Sequence, residues 1–321
     1  MLDVKNSIKL YRNEKAVQPT ALTIGNFDGV HIGHQHLLEH LVKQAYARHL
    51  IPSVLTFTPH PREFFALRGQ RQELIPTRIS TLRDKVMALN CHGIEAVYLQ
   101  TFNQAMAQMS AQDFIQKVLL EQLQVRYLYV GEDFQFGHRR SGNIELLKEA
   151  AQQHHFTVEI MQDVLDNHQI RYSSTELRQA LAFGQIEKAN SFLGRRYSIS
   201  GHVIHGKKLG RTIGIPTLNI PVMPRCALRS GIYVVSVRGL SEHALPAVAS
   251  LGVRPTVELH GEVLLEVHIL NHSVSAYGRM VTIDFHHYIR DEEKFPDLTT
   301  MMSAIQKDIA IAQHYFDDHG L

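Results

Sequence analysis

Ten consecutive residues, Gly25-Asn26-Phe27-Asp28-Gly29-Val30-His31-Ile32-Gly33-His34, combine three glycines with two imidazoles three positions apart. At a strand-to-helix turn, such a segment lets the backbone approach a phosphate, and the free N–H groups and positive dipole end of the helix favour an anion. Gly25, Asn26, Asp28 and Gly33 would shape that cradle, and His31 and His34 would face a triphosphate. The histidine spacing alone carries little. With 21 histidines in 321 residues, about 1.4 His-x-x-His pairs arise by chance, and a second pair, His202 and His205, is present. The ten-residue context carries the signal; the competing reading is a pair of surface histidines on a capped helix. Zinc is disfavoured, because no third ligand is suggested nearby.

A second constellation begins at His205 and runs through Gly206, Lys207, Lys208, Gly210 and Arg211 to Pro216-Thr217-Leu218-Asn219. It nearly spells a phosphate-binding P-loop, but Lys208 stands where that loop needs Ser or Thr, and no helical pattern follows. A Gly-rich basic loop can still hold phosphates through backbone N–H groups and cations. The Thr217 hydroxyl and Asn219 carbonyl are hard oxygen ligands suited to Mg²⁺ or its waters. Read alone, the stretch is equally a solvated hairpin. Glu266 lies within an otherwise apolar alternating strand, Leu265-Glu266-Val267-His268. There it is either a general base or a solvent-facing position that period two permits.

These residues need elements to hold them. From Thr20 to about Leu181, short apolar runs alternate with longer amphipathic ones, a βαβ rhythm. Strands are predicted over Ala21 to Ile24, Ser53 to Phe57, Ala96 to Leu99, Tyr127 to Val130 and Thr157 to Met161, with helices over Leu37 to Ala47 and Ser110 to Leu123. Ser110 reads as a helix cap, and Ser173-Ser174-Thr175-Glu176 as a capping box. The fold class is therefore α/β, a doubly wound parallel sheet whose sites lie at the carboxyl ends of strands.

After Ser191-Phe192-Leu193-Gly194, period-two alternation takes over, in Tyr197 to Ile204, Ile232 to Val237, Val263 to Leu270 and Met280 to Phe285. This predicts a small antiparallel β-barrel. A terminal helix follows, from Met302, Ile305, Ile309, Ala312 and Phe316 at three- and four-residue spacing. The domains expected are residues 1–185 and 186–321.

The bulk numbers agree with two cores: 321 residues with 44% hydrophobic content exceed what one core usually holds. Thirty-three basic against 31 acidic residues give a net charge of +2, without the global field by which nucleic-acid binders collect phosphates. Phosphate binding must be local, and no nucleic-acid partner is expected. Cys91 and Cys226 have no metal or redox spacing, which fits a reducing compartment, and both are expected in the core. The N-terminus lacks an apolar signal region, and no stretch approaches the ~20 apolar residues that span a bilayer. A cytoplasmic protein with no membrane partner is expected.

The first segment resembles the His-x-Gly-His signature of nucleotidylyl transferases, specifically the bacterial bifunctional riboflavin kinase/FAD synthetase family. Further blocks are similar, in family order. They are Thr56-Phe57-Thr58-Pro59-His60-Pro61-Arg62-Glu63-Phe64-Phe65, Val130-Gly131-Glu132-Asp133-Phe134-Gln135-Phe136-Gly137 and Ser173-Ser174-Thr175-Glu176-Leu177-Arg178. Gly252-Val253-Arg254-Pro255-Thr256, the strand around Glu266, Tyr277-Gly278 and Phe285-His286-His287-Tyr288-Ile289-Arg290-Asp291-Glu292-Glu293-Lys294-Phe295 complete the set.

The resemblance implies FMN adenylylation in the N-terminal part, with His31 and His34 at the ATP phosphates and the transition state. Ser174, Thr175 and Arg178 would take the triphosphate, and Pro59, His60, Arg62, Asp133 and Phe134 would border flavin or nucleotide. It implies riboflavin phosphorylation in the C-terminal part. There Glu266 is the base, Thr217 and Asn219 hold Mg²⁺ and phosphates, and Gly206, Lys207, Gly210 and Arg211 form a closing flap. The implied small molecules are riboflavin, FMN, FAD and ATP. Pro-His-Pro is also an ordinary turn, and the neighbouring phenylalanines could be core. His138, Asn143, Ser250 and Ile215 depart from the family pattern. Two rival readings are an adenylylyl transferase whose barrel only binds substrate, and a flavin- or RNA-binding regulator without chemistry. Degraded histidines or a basic face would mark the regulator, and neither is present.

Overall fold

The computed structural model describes residues 8–162, 172–206, 214–253, 263–272 and 276–320. The chain divides into two compact units, Met1–Pro76 with Lys85–Ser173, and Thr77–Asp84 with Ser174–Leu321.

In the first unit, six strands are described: β1 (Lys9–Arg12), β2 (Thr20–Ile24), β3 (Ile51–Thr58), β4 (Ala96–Thr101), β5 (Val125–Gly131) and β6 (Thr157–Met161). They lie in the order β1-β4-β3-β2-β5-β6, with every neighbouring pair parallel. All five β2 residues are buried, as expected of a parallel strand covered on both faces. Ala21, Val54 and Val97 pack with Leu37, Leu38 and Leu41 of α1 (Ile32–Ala47). Leu22, Leu55 and Leu128 pack on the opposite side with Phe114, Leu119 and Leu147. Helices on both faces make the sheet doubly wound. From β2 the chain builds outward through β3 and β4, then returns to place β5 on the other side of β2. The reversal between β2 and β5 is the switch point, and its crevice opens beyond the carboxyl ends of the strands.

The same unit contains α2 (Pro61–Arg68), most of α3 (Leu82–Cys91), α4 (Gln104–Gln108), α5 (Ala111–Asp113) and α6 (Ile144–His154). The expected helix over Ser110 to Leu123 starts as α5, with Ser110 Oγ accepting from the Asp113 amide at 3.0 Å, and continues at π pitch over Phe114–Gln122. Neither cysteine is a core residue: Cys91 is exposed and Cys226 partly so. Cys91 ends α3, a helix that buries only Leu89, and Cys226 lies outside any helix or strand.

The second unit carries α7 (Ser174–Ala182), α8 (Ile186–Leu193) and six described strands: β7 (Tyr197–His202), β8 (Leu218–Pro221), β9 (Gly231–Arg238), β10 (Leu245–Val253), β11 (Val263–Ile269) and β12 (Met280–Arg290). Their order is β7-β12-β9-β10-β11-β8, all antiparallel. The end strands approach each other, with Ile204 N donating to Asn219 O at 2.8 Å, and the sheet nearly closes into a barrel. Period two and the registers put Leu251, Leu265, Ile220, Tyr233, Val235 and Phe285 on one face, all buried.

On the other face, Val234 and Val248 are covered by Ala312 and Phe316 of α9 (Leu298–His319). Arg290 clamps that helix through Asp308, with Nε and Nη2 donating at 2.9 and 2.7 Å to a carboxylate that is 4% exposed.

Candidate functional site

The Gly25–His34 segment sits at the carboxyl end of β2 and runs into the first turn of α1. His31 is the N-cap of α1, and its Nδ1 accepts from the His34 amide at 3.4 Å. The two imidazoles stack with centroids 3.8 Å apart, and Phe27 closes against His34 at 4.9 Å. His31 and Asp28 are buried, at 5% and 7% exposure, while Gly25, Asn26 and His34 remain partly open. Gly33 is buried in the first turn.

The turn is strained, because Phe27 and Val30 have φ of +47° and +45° and Gly29 +89°. A non-glycine residue in that region costs about 1–3 kcal/mol. Phe27 and Val30 are fully enclosed in the cluster with Leu37 and Leu38, and burying an apolar side chain returns roughly 1.5–3 kcal/mol. Gln35 Nε2 adds a bond to Val30 O at 2.9 Å. Burial therefore holds the histidine turn in a shape the backbone alone would leave.

Two other predicted blocks open on the same edge of the sheet. Pro59 and His60 follow the last residue of β3. His60 caps α2 by accepting from the Arg62 amide at 3.0 Å, and Arg62 is exposed. Asp133 and Phe134 follow β5; Asp133 is exposed, and the Phe134 ring stacks on Phe136 at 5.5 Å. Asn143, a departure from the family pattern, caps α6 by accepting from the Leu146 amide at 3.0 Å.

Ser174, Thr175 and Arg178 lie in the first turns of α7, in the second unit. Arg178 reaches back along its own unit, with Nε donating to Thr77 O at 2.7 Å and Nη1 to Ser174 O at 3.3 Å.

On the barrel, register brings the remaining residues together. Glu266 pairs with Asn219 of β8 on one side and with Ser250 of β10 on the other. The three side chains therefore share the outer face in one row, opposite to the one buried inside; directly opposed residues have Cβ atoms roughly 5 Å apart. Asn219 is 6% exposed, and its Nδ2 donates to Thr217 O at 3.3 Å, which identifies the amide oxygen as the acceptor end. Gly206 lies against that amide so closely that a Cβ there would come within 2.5 Å of Oδ1. Lys207, Gly210 and Arg211 lie outside the described residues, as does Arg254-Pro255-Thr256. His268 Nδ1 contacts Pro216 O at 2.8 Å, tying β11 to the segment that carries Thr217.

The structure adds a residue that sequence reasoning left without a role. Ser250 Oγ donates to Glu292 Oε1 at 3.1 Å, and a Cβ on Gly252 would meet the same carboxylate oxygen at 2.2 Å. Glu292 thus rests over the outer face of β10 beside Glu266. Desolvation, and then the Glu266 charge, push its pKa up against the lowering effects of Ser250 and Arg290. The sequence signal was the trio Asp291-Glu292-Glu293 after a strand, which also describes any solvated loop.

A family model described as FAD synthetase matches residues 13–176, and one described as riboflavin kinase matches residues 193–316. The bifunctional riboflavin kinase/FMN adenylyltransferase of Haemophilus influenzae is 40% identical over 308 residues, 96% of this chain and 98% of that protein. The chain belongs to the bifunctional riboflavin kinase/FMN adenylyltransferase family. The Escherichia coli K12 member is also 40% identical, over 92% of each chain. A crystal structure described as a macrolide-efflux protein from Streptococcus pneumoniae shares the fold, with a TM-score of 0.80 and 28% identity over 95% of this chain and 99% of that one. Among the described residues here, no helix is long and apolar enough to cross a membrane.

Proposed function

We propose that the two activities of the family are divided between the carboxyl edge of the parallel sheet and the outer face of the barrel. The chain is a bifunctional enzyme, an FMN adenylyltransferase in its N-terminal part and a riboflavin kinase in its C-terminal part. We assign residues 1–185 to adenylylation and 186–321 to phosphorylation.

In adenylylation, an FMN phosphate oxygen attacks the α-phosphorus of ATP and the bond to pyrophosphate breaks. An ionised phosphate needs no base, so the site's work is to hold two anions together and stabilise the charge that builds on the leaving group. His31 and His34 at the α1 N-terminus, within the Gly25-Asn26-Phe27-Asp28 turn, suit that task. Ser174, Thr175 and Arg178 suit the triphosphate, and Pro59, His60, Arg62, Asp133 and Phe134 border the flavin or nucleotide.

In phosphorylation, the riboflavin 5′-hydroxyl oxygen attacks the γ-phosphorus, the bond to ADP breaks, and Glu266 takes the hydroxyl proton. The observation that carries this assignment is the register that sets Glu266 directly beside Asn219. The family's reactions use ATP, and Mg²⁺ is our choice of cation. Thr217 and Asn219 offer hard oxygens, and Mg²⁺ commonly completes its shell with waters and substrate phosphates. Among the described residues, no three His, Cys, Asp or Glu side chains gather to hold a metal by themselves. When bound, the cation would neutralise phosphate charge. Gly206, Lys207, Gly210 and Arg211 are proposed as the phosphate flap. Riboflavin, FMN, FAD and ATP are the partners proposed, and the cytoplasm the compartment.

Incubation of the purified protein with riboflavin, ATP and Mg²⁺, followed by chromatography of the flavins, should show FMN before or alongside FAD. Absence of both refutes the reading.

A further inference from the structure

We propose that Glu292 is a specificity-determining residue of the kinase site, a fixed negative charge beside Glu266 that admits the uncharged alcohol acceptor and disfavours rebinding of its phosphorylated product. The proposal rests on the assignment of the kinase reaction to the row Ser250-Glu266-Asn219.

The placement of Glu292 is built by its neighbours. Arg290 is clamped to Asp308 of α9 at 2.9 and 2.7 Å. Asp291 is held by Arg229, whose Nε and Nη2 donate at 2.8 and 2.7 Å. With the two preceding residues fixed to different elements, the chain delivers Glu292 onto β10, where Ser250 donates to it at 3.1 Å. Gly252 leaves the room it needs, since a Cβ would overlap the carboxylate at 2.2 Å. Ser250 and Gly252 are alternate residues on one face of β10, and Ser250 is the register partner of Glu266. Among the described residues, Arg290 is the cation whose charge acts on Glu292, and its guanidinium is engaged by the Asp308 carboxylate.

Two carboxylates on one patch suit a polyol. Its hydroxyls donate hydrogen bonds, and it carries no charge to be repelled. The product differs from the substrate by a phosphate group that forms next to Glu266, so the same pair of charges opposes it. ATP enters with a cation that offsets its phosphates, and the departing flavin phosphate does not. Glu292 would therefore act on the balance between acceptor binding and product binding.

The test follows initial rates of ADP formation by the full-length protein, which report the kinase step alone because adenylylation releases pyrophosphate, over times short enough that little of the added FMN has become FAD. The quantity read is the ratio of the FMN inhibition constant to the riboflavin KM. Glu292→Gln keeps the length of the side chain and the oxygen that accepts from Ser250, and removes the charge. The ratio should fall about fivefold in Glu292→Gln, the scale of one partly screened charge. In Glu292→Asp, which retains the charge, it should stay within about twofold of wild type. Glu292 is exposed, and denaturant unfolding of the barrel unit checks that each variant is intact. Ser250→Ala supplies a second reading, a smaller fall as the tether is lost. An unchanged ratio in Glu292→Gln, or an equal fall in Glu292→Asp, overturns the proposal while leaving the kinase assignment in place. Absence of riboflavin-dependent ADP formation in the wild type overturns both.

Discussion

His31 and His34 stand at a helix N-terminus beyond the end of β2, whereas Glu266 and Asn219 stand within strands, side by side on the outside of a barrel. The first arrangement depends on a turn held in positive φ at Phe27, Gly29 and Val30 by buried side chains. The second depends on register, since a slip of one residue would carry Glu266 to the apolar interior. The chemistry matches the architecture. Adenylylation asks for backbone N–H groups and donors around phosphates, which loops and helix ends provide. Phosphorylation of an alcohol asks for a base fixed relative to a cation ligand, which adjacent strands provide.

The largest effect that would break this comparison is expected at Glu266. Glu266→Ala should nearly abolish FMN formation, by about 10²–10⁴-fold for loss of a positioned base, and leave FMN-to-FAD conversion intact. Equal loss of both activities would show that the two edges are not independent. His31→Ala and His34→Ala should do the reverse, lowering FAD synthesis by roughly 10²–10³-fold for loss of a preorganised donor. Riboflavin phosphorylation should be spared, so that FMN becomes the end product; a mutant still making FAD from FMN at the wild-type rate would remove the histidines from the mechanism.

Smaller effects sharpen the contrast. Phe27→Ala touches no substrate but removes one of the side chains that hold the strained turn, and FAD synthesis should fall about tenfold, since small misplacements are costly at such sites. An unchanged rate would mean that the turn keeps its shape without that packing. Thr217→Ala or Asn219→Ala should shift the magnesium dependence of the kinase step by about tenfold. A magnesium titration with unaltered kinetics would exclude these oxygens as ligands.

The first edge was the more legible in sequence, for physical reasons. β2, β3 and β5 are apolar runs ended by glycine or proline, and the histidine segment sits where one such run must turn into a helix. β1, with only Tyr11 half-buried, has too few apolar residues to announce itself. β10 was hidden because Leu245-Pro246-Ala247-Val248-Ala249-Ser250 mixes a proline with small residues of low strand propensity, and β8 is four residues long. Without β8 and β10, the sequence offered Glu266 and Asn219 as separate suggestions. Their adjacency is a property of pairing, which no local pattern contains. Glu292 was still less visible, because its placement is set by Arg290, Asp291 and Gly252 acting from three directions.

The smallest effect separates the units by stability rather than by rate. His286 is the extra residue of a bulge in β12, between Phe285 and His287, which turns it beneath α9 against Tyr315 and Phe316. Its Nε2 lies 2.9 Å from Ser236 Oγ. Burial, followed by the Arg196 and His319 charges, lowers its pKa to about 4, against about 6.5 for an unfolded histidine. A depressed pKa means that the unfolded chain binds the proton more readily than the folded one. The stabilising contribution is therefore fully present above pH ~6.5 and is lost progressively as pH falls towards ~4. Across that window the loss is at most roughly 3 kcal/mol, for one group shifted by about two and a half units. His286→Gln removes the titration, so the unfolding of the barrel unit should become less pH-dependent in that window while that of the parallel-sheet unit stays as it was. Denaturant melts of the full chain at pH 7 and pH 5, with activity loss at each site as the reporter, measure both. An equal pH dependence in the variant and the wild type would take His286 out of the account.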